Sequence, residues 1–257
     1  MSAGVKARDL PDTAPGLSGA TRDKLTRVGS ANIANALLKR GFRKTYMLGI
    51  APLSEGQAQM VGPAYTLRFI PAREDLDSMA NYGRTDNMHR RAIEECPPGH
   101  VLVIDTGGGC ESSSAGDLMA ARLKKRGVAG LVTEGGFRDT PAIRKTGLPA
   151  YQFRSAPPAT PIAMHPLELN GPIGCAGVAV YPGDVRVGDG EGVVVIPRHL
   201  VDEVADDALD AVEYETYAEL QIARGRTIFE VFPATPESRR EYDAWVTAGR
   251  PLPEEVK

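Results

Sequence analysis

"HVLVIDTGGGCESSSAGDLMAARLKKRGVAGLVTEGGFRDTPAIRKTGLPAYQF", residues 100–153, is the stretch that decides the fold. Its opening, "HVLVIDT", centres on a short, continuous apolar run, the pattern of a strand buried on both faces. After the loop "GGGCESSSAG", the segment "DLMAARLKKRG" reads as a helix, with Leu118, Met119 and Leu123 on its apolar side and Gly127 as its stop. "VAGLVTE" is a second strand. "TPAIRKTG" is a short helix in which Thr140 can cap, Pro141 suits the first helical position and Gly147 ends it. "LPAYQF" is a third strand. Strand–helix–strand–helix–strand with short connections means parallel strands joined by right-handed crossovers. The fold class is therefore α/β, with a parallel βαβαβ core.

Outward from this core, "QMVGPAYTLRFIP" is a further strand ended by Pro71. "TRDKLTRVGSANIANALLKRG" has helical spacing at Leu25, Val28, Ile33, Ala34, Leu37 and Leu38, with Ser30 or Asn32 as an internal cap and Gly41 at its end. Residues 1–20 are expected to form a loose N-terminal arm. Residues 73–91 are charged and carry no clear pattern; surface crossing and subunit contact both fit them. Downstream, "GPIGCAGVAVYPGDVRVGDGEGVVVIP" reads as short antiparallel strands, the closing β-hairpins. After Pro197 a long acidic helix follows, with Val201, Val204, Ala208 and Val212 as its apolar stripe, then a last helical turn and tail. Residues 21–200 form one domain in this reading, and 201–257 a C-terminal extension expected at a subunit contact.

The chain has 257 residues, 42% hydrophobic and 25% charged, with net charge -3 spread along its length. That balance gives neither a basic nucleic-acid surface nor a polybasic membrane patch. No run approaches a membrane span or a signal-peptide core, so a soluble cytoplasmic protein is expected. Cys96, Cys110 and Cys175 show neither zinc spacing nor a disulfide framework, and the four histidines form no HxxxH-type pair. "TGGGCESSSAGD" lacks the Gly-Lys-Ser/Thr ending of an NTPase loop and the third glycine of a dinucleotide fingerprint. Its triple serine has no GxSxG elbow, and no His-Asp pair is evident.

Ligands of a parallel sheet favour the crevice at the carboxyl ends of its strands. Asp105 with the glycine loop, the helix start at Gly116, and the pair Arg138-Asp139 all fall on that edge. Free N–H groups at the helix start and Arg138 suit an anionic substrate, and Asp139 suits a hard cation. The plainer alternative is a solvated loop in which Asp139 or Thr140 caps the short helix.

"SAGDLMAARLKKRGVAGLVTEGGFRDTPAIRKTGLPAY" resembles the RraA-like family, which includes the class II 4-hydroxy-4-methyl-2-oxoglutarate/4-carboxy-4-hydroxy-2-oxoadipate aldolases. The shared pattern is a G-[DE]-L-L-A helix start, a G-V-x-G strand and G-x-x-R-D. "SANIANALLKRG", "MVGPAYTLRF" and "GVAVYPGDVRVGDGEGVVVIP" extend the likeness over residues 21–200. The resemblance implies a swivelling β/β/α-type fold assembled as a homotrimer or homohexamer. It also implies a divalent-metal (Mg or Mn) lyase that releases pyruvate from a 2-oxo acid, with oxaloacetate decarboxylation as a side activity. On the matching positions, Gly116, Asp117, Leu118 and Met119 would bind substrate at the helix start, with Leu118-Met119 standing for the family's Leu-Leu. Arg138 would contact the keto oxygen, Asp139 would ligate the metal, and Asp117 would orient the water that takes the substrate hydroxyl proton. Glu213, Glu215 and Glu219 are the acids a neighbouring subunit could lend. Two alternatives stand beside this: a non-catalytic regulator of a ribonuclease, the role that gave the family its name, and a lyase for a sugar-derived 2-oxo acid.

Overall fold

A computed structural model describes residues 17–251. Strand β1 (Ala51–Pro52) is brief, and β2 (Met60–Pro71) runs the length of the sheet. With β3 (Val101–Asp105), β5 (Gly130–Thr133) and β7 (Ala150–Gln152), β2 makes the parallel core in the order β7-β5-β3-β2. The connections are helices: α4 (Met88–Glu95) between β2 and β3, α5 (Asp117–Lys125) between β3 and β5, and α6 (Thr140–Thr146) between β5 and β7. Antiparallel strands β8 (Met164–Leu169), β11 (Val185–Gly188) and β12 (Val193–Ile196) continue the sheet, with β8 and β11 pairing with different parts of β2. The mixed sheet has eight strands and curls into a nearly closed, barrel-like layer. A hairpin, β9 (Ile173–Cys175) with β10 (Val178–Val180), lies against it.

The alternation along β3 explains why its sequence is apolar throughout. Leu102 and Ile104 pack with Leu67, Leu123, Leu131 and Ile143 under the crossover helices. Val101 and Val103 point the other way, among Met60, Ala64, Val132, Tyr151 and Val195. A third cluster joins Val61, Val185 and Val187 to Leu25, Ile33 and Leu37 and to Val204, Ala205 and Ala208 of the long helix α7 (Val201–Ala223). The α/β class, the βαβαβ core, the closing hairpins and the long C-terminal helix are all present.

Several local expectations are corrected. The N-terminal helical pattern is two helices, α1 (Gly19–Leu25) and α2 (Ser30–Lys39). The break falls where Asp189, from the β11–β12 turn, accepts the Ser30 N–H (2.6 Å) and Oγ (3.0 Å) at the start of α2. That fixes a carboxylate at a helix N-terminus, where the dipole favours it. Of the expected arm, residues 1–16 lie outside the described residues, and α1 already begins at Gly19. Leu118 does not join the buried face of α5: it is 79% exposed, and Ala120 and Leu123 carry that face. Thr140 is not the cap of α6; Asp139 holds that position. Residues 73–91 form a turn, the short α3 (Met79–Tyr82) and the start of α4. The C-terminal end holds α8 (Ile228–Val231) and a full α9 (Pro236–Thr247), packed on α7 through Tyr214, Tyr217 and Tyr242. Among the described residues, no helix is long and apolar enough to cross a membrane.

Candidate active site

Past the ends of β3 and β5 the chain makes a small second layer. Strand β4 (Ser113–Ala115) pairs in parallel with β6 (Gly136–Phe137), and the Arg138 N–H donates to the Ala115 carbonyl (3.0 Å). Ser114 Oγ donates to Thr133 Oγ1 (3.0 Å) or the Gly136 carbonyl (3.1 Å), tying this layer to β5. The Phe137 N–H is held by Gln152 Oε1 at 2.7 Å. Neither strand was legible as such, because each is too short to show a period.

This layer brings Gly116, Arg138 and Asp139 together. Gly116 caps α5 without a side chain, and a β-carbon there would lie 2.9 Å from Arg138 Nε and 3.4 Å from Asp139 Oδ2. Arg138 Nε and Asp139 Oδ2 are 3.3 Å apart, their side chains 46% and 49% exposed. Asp139 takes the left-handed conformation (φ 54, ψ 34) and makes no side-chain cap bond to its own helix. A non-glycine residue there carries strain, of the kind that clusters at functional sites. The plain capping role is thus absent, and the carboxylate turns back toward Gly116. Asp117 Oδ1 accepts the Leu118 N–H (2.8 Å), so that carboxylate already sits over the first turn of α5.

The cavity beside these groups measures about 340 Å³. Gly116, Leu118, Met119 and Arg138 line it from the core, and Tyr82 and Arg90 close it from the charged 73–91 segment. Burial raises the pKa of Tyr82, whose hydroxyl lies 3.4 Å from His89 Nδ1. His89 is fully buried, and desolvation lowers its pKa to about 4. Among the described residues, no cluster of three or more His, Cys, Asp or Glu forms a metal cage. A magnesium-type ion needs less: one or two carboxylates, with waters and substrate completing its shell. The half-exposed Asp139, whose Oδ2 a β-carbon at residue 116 would approach to 3.4 Å, fits that requirement.

Other acids are engaged elsewhere. Glu134 accepts the N–H groups of Thr106 (3.2 Å), Gly108 (3.0 Å) and Ala176 (2.6 Å), and Asp105 accepts that of Gly107 (2.8 Å). Burial, with the hydrogen bond and charge of Glu134, pushes Asp105 up to about 6. The pair holds the glycine loop. Glu213 meets Arg27 (3.3 Å) and Arg250 (2.9 Å), and Glu215 accepts from Asn32 (2.9 Å); with Glu219 they lie on α7. The sequence hid one pair: His165 Nδ1 lies 2.8 Å from Asp77 Oδ1, although 88 positions separate them. It fastens the 73–91 segment to β8 (Ser78, beside it, caps α3).

The RraA-like family model (Aldolase/RraA) matches residues 30–195, which contain all of this machinery. A Halalkalibacterium halodurans protein, provisionally named a 4-hydroxy-4-methyl-2-oxoglutarate aldolase, is 35% identical over 159 residues, covering 62% of this chain and 69% of its own. Legionella pneumophila protein DlpA is 29% identical over 220 residues, 84% of this chain; the match spans only 33% of DlpA. The crystal structure of Streptomyces coelicolor RraAS2, described as an unusual member of the RNase ES inhibitor RraA protein family, superposes with a TM-score of 0.72 at 30% identity. It covers 81% of this chain and 100% of that one. Sequence match, sheet topology and the G-x-x-R-D turn over a helix start agree: the chain belongs to the RraA-like family.

Proposed function

We propose that this chain is a divalent-metal-dependent lyase that cleaves a 4-hydroxy-2-oxo acid, of the 4-hydroxy-4-methyl-2-oxoglutarate type, to pyruvate, with oxaloacetate decarboxylation at the same site. The observation that carries this is the Gly116 cradle, in which a guanidinium and a half-exposed carboxylate converge on an uncapped helix start. Asp139 would hold the ion, magnesium or manganese, and when bound it supplies Lewis-acid polarisation of the keto oxygen. The α5 start attracts the substrate carboxylate by its dipole, and the Leu118 N–H becomes available to it once Asp117 Oδ1 turns away. Breaking the C3–C4 bond sends its electron pair into the pyruvate enolate, while the C4 hydroxyl becomes a carbonyl and releases its proton. Arg138 would neutralise the enolate oxygen, and fixed charge at that point lowers the barrier. Asp117 orients a water to receive the hydroxyl proton, and protonation at C3 then completes pyruvate.

The test is pyruvate release coupled to lactate dehydrogenase, from oxaloacetate and 4-hydroxy-4-methyl-2-oxoglutarate, with magnesium, with chelator, and with Asp139→Ala. Chelator-sensitive turnover that falls at least about 100-fold in the variant is expected. Absence of turnover by folded protein on every substrate would overturn the proposal. The second reading, a ribonuclease regulator, draws on the Streptomyces relative's description. Inhibition of an RNase E-type enzyme by wild type and Asp139→Ala alike would favour it.

A further inference from the structure

Three guanidiniums line the cavity: Arg90, Arg122 and Arg138. Two have a carboxylate of their own. Arg138 lies beside Asp139, and Arg122 grips Glu94 with both Nε (3.0 Å) and Nη2 (2.7 Å). Arg90 donates to the Gly83 carbonyl, and among the described residues it forms no ion pair.

The placement of Arg90 follows from topology. Helices α4 and α5 both cross between parallel strands, so they run in the same direction against the sheet. The Glu94–Arg122 bridge pins them one turn beyond Arg90 on α4 and one turn beyond Leu118 on α5. Arg90 is therefore level with the first turn of α5, across the cavity from the Gly116 cradle. Between these two positive ends the wall offers Ile93, Met119 and the exposed Leu118, with Tyr82, Glu94, Ser113 and Thr160 completing the lining. Glu94 is occupied by Arg122, which leaves Arg90 to meet an incoming anion. A short carbon spacer with an acid group at each end matches the two positive ends.

Resting on the lyase reading, we propose that Arg90 is the specificity-determining residue for the leaving half of the substrate, binding the terminal carboxylate of a 4-hydroxy-2-oxoglutarate-type diacid. The test compares 4-hydroxy-2-oxoglutarate with 4-hydroxy-2-oxopentanoate, which has a methyl group where the former has its terminal carboxylate, in wild type, Arg90→Gln and Arg90→Lys. The ratio of kcat/KM for the diacid over the monoacid should fall about 10- to 100-fold in Arg90→Gln, mostly through KM, as expected for losing a charged hydrogen bond. Arg90→Lys should recover part of it. Equal losses on both substrates, or none, would overturn the assignment. Calorimetric binding of 2-oxoglutarate against 2-oxopentanoate in the presence of magnesium separates the two claims. Weaker diacid binding in Arg90→Gln without any turnover by wild type would uphold Arg90 and sink the lyase. Unchanged binding with intact turnover would sink Arg90 alone.

Discussion

Gly116 leaves no room for a β-carbon. Gly116→Ala puts a methyl 2.9 Å from Arg138 Nε, and the flexible guanidinium, rather than the backbone, must move. The variant should keep its melting temperature within a few degrees while pyruvate release drops about 100-fold, because a displaced stabiliser is as good as a missing one. Equal activity would mean that Arg138 works from another position. A second residue, Asp105, sets a pH dependence. Its folded pKa, about 6, lies above the ordinary 3.8, so its stabilising protonation is complete below about 3.8 and lost as pH rises through about 6. Asp105→Asn keeps an acceptor for the Gly107 N–H and gains a donor toward Glu134. The variant should therefore melt above wild type at pH 7.5, with the gap closing by pH 4. His89 acts with the opposite sign, its contribution present above 6.5 and lost as pH falls through about 4. Removing the Asp105 term should expose that loss as a steeper acid limb in thermal melts.

At the scale of elements, β6 is a two-residue strand that leads directly into Arg138 and Asp139, and its fit is backbone against backbone. A β-carbon at Gly136 would come within 2.8 Å of Ala156 Cβ and 3.0 Å of its backbone nitrogen, with no flexible tip to yield. Gly136→Ala should lower stability by about 1–3 kcal/mol and activity with it, the overpacking range. Chemical denaturation beside the lyase assay distinguishes this from the Gly116 variant. The contrast shows what the sequence can carry. β3, β5 and β7 were legible because burial on both faces leaves a continuous apolar run, and α5 and α6 because Gly127 and Gly147 stop them in left-handed turns. The layer β4–β6 was not, since its pairing depends on Ser114 and Gln152 reaching across the sheet. Gly116, Arg138 and Asp139 were readable as neighbours at one sheet edge. Arg90 and Tyr82 were not, because α3 and α4 are placed by long-range contacts, Asp77 with His165 and Ile93 in the core, that no local pattern records.

The whole molecule encloses one feature that runs against its own stability. Arg186 on β11 is fully buried opposite Gly62 and Val195, with none of its guanidinium nitrogens hydrogen-bonded among the described residues. Burial lowers its pKa to about 10, so it stays cationic at neutral pH, with Asp184 the chief charge that favours it. Replacing a buried charge with an apolar side chain of similar volume is often neutral or stabilising by about 1–4 kcal/mol. Arg186→Met should accordingly melt at or above the wild-type temperature. A large fall would show instead that the guanidinium is what holds the sheet in its curl.

The left-handed backbone at Asp139 has a consequence for descent. Glycine and asparagine occupy that conformation at least as comfortably as aspartate, so chain geometry alone would never retain an acid there. On the proposed lyase reading, turnover is what would oppose the drift. A lineage relieved of catalysis would lose nothing in its helices and strands by such a replacement. Position 139 would then serve as a record of use, its aspartate kept only where chemistry is worth the strain.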